Sequence, residues 1–118
     1  MAHYEPKTRD GNCVFCKIVA GEIPAKIVAS NELAIAFNDI SPVAPTHLLV
    51  IPKAHYENVS ELTREDGASL LALLSLAGEV AAGVDFRLVF NSGAGVGQSV
   101  FHAHGHLLAG RDFAWPPG

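Results

Sequence analysis

The chain has 118 residues, of which 49% are apolar and 17% charged, and its net charge is −4. That length suits one domain able to bury about two thirds of its unfolded surface, and the composition excludes an intrinsically disordered segment. No Lys/Arg run offers the basic footprint of a long nucleic acid, and no apolar run reaches the length of a membrane span. A single nucleotide stays open as a ligand, because a few backbone N–H groups can hold one. The apolar content is high for a lone small domain. We read part of it as a homodimer interface, the alternative being a core rich in Ala and Leu.

In chain order, residues 1–12 are polar and mixed in charge, without the apolar stretch of a signal peptide. They are expected to form a tail before a domain at 13–118, and the chain is expected in the cytoplasm. Cys13 to Ala20 predicts a short helix ended by Gly21. Lys26 to Ala29 and Leu33 to Phe37 predict two strands about the turn Ser30-Asn31-Glu32. Residues 40–46 hold Pro42 and Pro45 and are expected to be loop. The apolar run His47 to Ile51, stopped by Pro52, fits a strand covered on both faces.

Thr63-Arg64-Glu65-Asp66 resembles a capping box. With Leu70, Leu73, Leu74 and Ala77 at helical spacing, it predicts one main helix running to about Ala82 and stopped by Gly83. Arg87 to Asn91 predicts a strand, residues 92–97 a glycine loop, and Val100 to Leu108 a last strand. Strands with one long helix inserted imply an α+β fold on an antiparallel sheet.

The last predicted strand carries the most information. Residues i, i+2 and i+4 of a strand share one face, so His102, His104 and His106 are expected in a row. Packing rarely calls for three imidazoles in register. Such a row suits metal binding or nucleophilic catalysis by imidazole. Upstream, Gly93-Ala94-Gly95-Val96-Gly97-Gln98-Ser99 can bring successive N–H groups to a phosphate. Joined to the histidines, that loop points to phosphoryl or nucleotidyl transfer.

His102-Ala103-His104-Gly105-His106-Leu107-Leu108 resembles the signature of the histidine triad (HIT) family, three histidines alternating with apolar residues. Gly21 to Lys26, Asp39-Ile40-Ser41-Pro42, Ala44 to His47, Gly97-Gln98-Ser99 and Trp115 to Gly118 resemble its Hint branch of purine nucleoside phosphoramidases. Gly105 departs from the pattern, since the family carries a bulky apolar residue there, and glycine is expected to weaken strand packing.

The resemblance implies a homodimer with one continuous sheet, no organic cofactor, and a purine nucleoside monophosphate or phosphoramidate as ligand. It implies His104 as the nucleophile at the α-phosphorus and His106 as a donor to a phosphate oxygen. His102 completes the triad, and His47 would orient it. Ser99 would serve the leaving group. Gly97, Gln98 and Val100 would hold the phosphate through their backbone, with Asn91 on the phosphate or ribose side. Asp39 would take the ribose hydroxyls, and Phe15, Ile18, Phe37 and Ile40 would form the purine slot. Trp115 would reach toward a partner subunit's site. A dinucleoside polyphosphate hydrolase of the Fhit kind and a nucleotide-binding interaction protein are the rival readings.

Cys13 and Cys16 form a C-x-x-C pair, and four-coordinate structural zinc often takes two Cys and two His. Relatives in the wider superfamily carry zinc on such a combination, which His55 and His102 would complete here. Structural zinc would withdraw His102 from proton transfer. The alternative is two reduced thiols in a short helix.

Overall fold

The computed structural model describes residues 10–118. The expected tail at 1–12 lies outside the described residues except for 10–12, where Cys13 N–H donates to the Asp10 carbonyl at 3.1 Å.

The elements are α1 (Val14–Val19), β1 (Ile27–Ser30), β2 (Ala34–Asn38), β3 (Thr46–Pro52), α2 (Val59–Glu65), α3 (Gly67–Val80), β4 (Phe86–Phe90) and β5 (Gly105–Ala109). A short 3-10 turn, Ala94–Val96, lies between β4 and β5. The strands form one antiparallel sheet in the order β1-β2-β3-β5-β4. The fold is α+β.

The period of two sorts the central strands into two cores. Ala34 and Ala36 of β2 and Leu48 and Val50 of β3 pack with Leu73, Leu76 and Ala77 of α3. Ile35, Phe37, Leu49 and Ile51, the alternate residues, pack with Cys13, Phe15 and Cys16 around α1. The run at 47–52 is therefore apolar because both its faces are covered.

The predicted main helix is two helices. Asn58 caps α2, its Oδ1 accepting from Glu61 N at 3.0 Å. Asp66 caps α3, its Oδ1 accepting from Ser69 N at 3.1 Å. Thr63 is not a cap. It lies inside α2, and its hydroxyl donates to the Val59 carbonyl at 2.8 Å. A carboxylate accepting at the start of the longer helix outcompetes a hydroxyl that already has a carbonyl in its own turn. Asp66 also accepts from Tyr56 Oη at 3.1 Å, which anchors the break between the helices.

The second correction concerns the last strand, which begins at Gly105 and not at Val100. Its final pairs are Val50↔Gly105 on β3 and Phe90↔Gly105 on β4. Beyond them β3 ends at Pro52, which has no N–H with which to extend a ladder. Residues 100–104 peel away instead, and Ala103 N–H donates to the Tyr56 carbonyl at 2.7 Å.

Gly105 does not leave a weakly packed strand. A Cβ there would stand 3.0 Å from Leu88 Cδ1 and 3.1 Å from Phe90 Cζ, so β4 side chains already fill the space.

Candidate active site

His106 lies in β5 opposite Leu49, which in turn faces Phe37 across the sheet. Residues opposite one another share a face, so the sheet aims His106 at the side covered by α1. His104, one residue before the strand, reaches the same side. Its ring centroid lies 5.0 Å from that of His106. Both line a cavity of about 630 Å³, together with Phe15, Ile18, Phe37, Asp39, Ile40, Ser99 and Val100. That volume falls within the usual range for small-molecule sites.

The hydrogen bonds around these rings assign their protons. His104 Nδ1 lies 2.8 Å from the His102 carbonyl, which can only accept. Nδ1 therefore carries the hydrogen, and Nε2 keeps its lone pair. Val43 N–H donates to His47 Nδ1 at 3.1 Å. Neutral His47 then carries its hydrogen on Nε2, which lies 3.0 Å from His106 Nδ1. His106 Nδ1 accepts, and its Nε2–H is left as a donor. One cavity thus holds a bare imidazole nitrogen and an imidazole N–H side by side.

Burial lowers the pKa of His104 below its ordinary 6.5, against the opposing pull of its bond to the His102 carbonyl and of Asp39. Burial also lowers that of His106, helped by His104 and His47 and opposed by Asp39. Asp39 accepts from Ser41 N at 2.7 Å through Oδ1, and its Oδ2 stands 3.4 Å from His47 Nε2.

His102 faces elsewhere, which corrects the expected row. Its ring is fully buried, and its Nε2 donates to the Pro52 carbonyl at 2.8 Å. Its Nδ1 is turned to Cys13 Sγ at 3.4 Å, Cys16 Sγ at 3.6 Å and His55 Nδ1 at 3.2 Å. Cys16 Sγ lies 3.4 Å from His55 Nδ1. Tetrahedral zinc with bonds of about 2.3 Å to sulfur and about 2.0 Å to nitrogen sets S···N near 3.5 Å and N···N near 3.3 Å. These four separations match that geometry, all four donor atoms lie within 4.8 Å of one another, and Pro52 fixes the His102 tautomer as an outer partner should. Burial lowers the His102 pKa to about 4, partly offset by its bond to Pro52, so the ring stays neutral and able to ligate.

Phe15 separates the two centres. Its ring stands edge-on to His104 at 5.1 Å and to His102 at 5.8 Å.

The remaining sequence candidates lie around this core. His47 is buried behind His106. The Gln98 side chain is committed to the loop itself. It accepts from Gly93 N at 2.8 Å and donates to the Glu57 and Val100 carbonyls at 2.7 and 3.1 Å. Gly97 has φ +98, a left-handed turn that favours glycine, and a Cβ there would come within 3.9 Å of Asn91 Nδ2. Asn91, Gly97, Gln98 and Trp115 are not among the residues lining the cavity, and Trp115 is 82% exposed.

Leu49, Val14 and Asn38 also line it without having been site candidates, as do Ile23, Pro24, Ala25 and Lys26. Leu49 was within reach of period-two reasoning, since it alternates with Leu48 and Val50. Residues 23–26 lie in the Gly21 to Lys26 motif but carry no side chain that signals a ligand.

Residues 20–113 match the model of the HIT domain. An uncharacterized HIT-like protein of Synechocystis is 53% identical over 109 residues, 89% of this chain and 96% of that protein. A HIT family hydrolase from Legionella pneumophila is 48% identical, with a TM-score of 0.83 over 91% of this chain and 100% of that one. A HIT family hydrolase from Clostridium thermocellum is 42% identical, with a TM-score of 0.84 over 90% and 96%. With the paired imidazoles on one face of the sheet and these matches along nearly its whole described length, the chain belongs to the HIT family.

Proposed function

We propose that the protein hydrolyses purine nucleoside 5′-phosphoramidates, as a member of the Hint branch, through a nucleotidyl group held on His104. The observation that carries this reading is the tautomer pair, a bare His104 Nε2 beside a His106 Nε2–H in one cavity. A neutral imidazole is a nucleophile. A fixed N–H beside it stabilises charge that develops on a non-bridging phosphate oxygen.

In the first step His104 Nε2 bonds to the α-phosphorus and the phosphorus–amine bond breaks. The leaving amine takes a proton from solvent through the Ser99 hydroxyl. In the second step water supplies hydroxide to phosphorus and returns its proton to solvent through the Ser99 hydroxyl, the bond to Nε2 breaks, and nucleoside monophosphate leaves with His104 restored. Asp39 accepts the ribose hydroxyls, and the purine lies among Phe15, Ile18, Phe37 and Ile40. Asn91 and the Gly97 to Val100 backbone support the phosphate side.

Cys13, Cys16, His55 and His102 hold zinc in this reading. When bound, the ion supplies a structural tie with no open position for substrate. The thiolates must stay reduced to hold it, which is the ground for assigning the protein to the cytoplasm. We assign a homodimer joined through the edge strand β4, where Phe86 is 42% and neighbouring Val84 58% exposed, with Trp115 contributing to the partner's site. Among the described residues, no helix is long and apolar enough to cross a membrane.

The test is release of AMP from adenosine 5′-phosphoramidate by the wild type and by His104→Ala. Turnover by the wild type with a loss of about 10³-fold or more in the variant supports the assignment. Equal slow rates would overturn it.

A further inference from the structure

A second cavity, of about 300 Å³, opens beside the first and includes Asp10, Asn12, His55 and Phe101 in its wall. Val14, Ser99 and Val100 line both cavities, so these three residues form the sill between them. We propose that the second cavity is a leaving-group subsite for an amine carrying a further positive charge, an ammonium or guanidinium, a few bonds from the scissile nitrogen. This rests on the phosphoramidate reading and names the half of the substrate that the nucleotide cavity does not hold.

Position is the first argument. An in-line displacement places the leaving group on the side of phosphorus away from the attacking nitrogen. His104 lines only the larger cavity. A group that leaves past Ser99 crosses the sill into the second space. That space, at the small end of the range for ligand sites, suits a group the size of an amino-acid side chain.

Charge is the second argument. Among the described residues, Asp10 is the only carboxylate in the wall, and none of the Lys or Arg side chains lines it. Asp10 Oδ1 accepts from Asn12 N at 2.9 Å, which fixes the carboxylate at the rim. Phe101, 44% exposed, adds an aromatic ring for an alkyl stem or a cation. A polyphosphate leaving group would meet a carboxylate here, which separates this site from one built for dinucleoside polyphosphates.

The experiment compares kcat/KM for four adenosine 5′-phosphoramidates with the full chain. One is unsubstituted, and the others carry butylamine, putrescine or γ-aminobutyrate on nitrogen. The wild type should prefer the putrescine compound over the butylamine one by about fivefold, and disfavour the γ-aminobutyrate compound by a similar factor, as one partly exposed charge allows. Asp10→Asn should bring the three into line, and Asp10→Lys should reverse their order. Both variants should leave turnover of the unsubstituted compound unchanged, which also shows that they fold. Turnover of that compound with a flat series, or a cation preference that survives Asp10→Asn, overturns the subsite alone. No turnover of any of the four by the wild type overturns the phosphoramidase reading and the subsite with it.

Discussion

His104 and His106 differ in role because of what each ring touches from behind. A carbonyl behind His104 takes the Nδ1 hydrogen, whereas a histidine N–H behind His106 supplies one. Burial then keeps both rings neutral around pH 7 by lowering their pKa values from 6.5. The sign for activity follows. In the proposed reaction the nucleophile works when deprotonated, so the acid limb of kcat/KM, where His104 gains its proton, should be centred below pH 6.5. A pH–rate profile checks this, and an acid limb centred at or above pH 6.5 would contradict the burial argument. The sequence showed which histidines to examine, since the alternation of imidazole and apolar residues is itself the signal. It did not show the tautomers, because Val43 N–H is a main-chain group that every residue type but proline supplies, and the His102 carbonyl one that every residue type supplies.

At the scale of the element, β2 and β3 were legible because strands covered on both faces leave short continuous apolar runs between turn residues. The two-helix arrangement was not. The contiguous stretch from Thr63 onward reads as one amphipathic run, and only the carboxylate of Asp66, turned to both Ser69 and Tyr56, breaks it. The departure of 100–104 from the sheet was also hidden, because it depends on where the neighbouring strand ends.

Between β4 and β5 the glycine at 105 and the ring of Phe90 form one packing unit. Gly105→Leu should cost about 1–3 kcal/mol by overpacking, and adding Phe90→Val should recover part of that loss. A double-mutant cycle by thermal unfolding measures the coupling, and purely additive effects would refute it. For α1, metal analysis should find one zinc per chain in the wild type and none in Cys16→Ser. Chelation should lower Tm, because the proposed ion would tie α1 to the segment after β3 and to the segment before β5. Zinc retained in full by Cys16→Ser would refute the ligand set.

For the whole molecule, the apolar surplus is only partly used within one chain. Two cores cover both faces of the sheet, yet Leu71 is 67% exposed, Val84 58% and Phe86 42%. Strand β4 stands at the edge of the sheet, where unpaired backbone groups invite another strand. Sedimentation should find a dimer, and Phe86→Lys should shift it toward monomer, while a wild-type monomer at all concentrations would remove the interface. The two edges of the sheet were not distinguishable in the sequence, because strand order depends on contacts far apart along the chain.

His102 serves both centres, giving its ring to the Cys/His cluster and its carbonyl to His104. These two services differ in how they withstand mutation. Any substitution at 102 removes the ring, but none removes the carbonyl. The donor to His47 is similarly protected, since proline alone among residues at 43 lacks it. Over generations the Cys/His cluster is therefore exposed to single changes of codon 102. The proton arrangement of the reacting imidazoles is written in the main chain and passes through almost all of them unchanged.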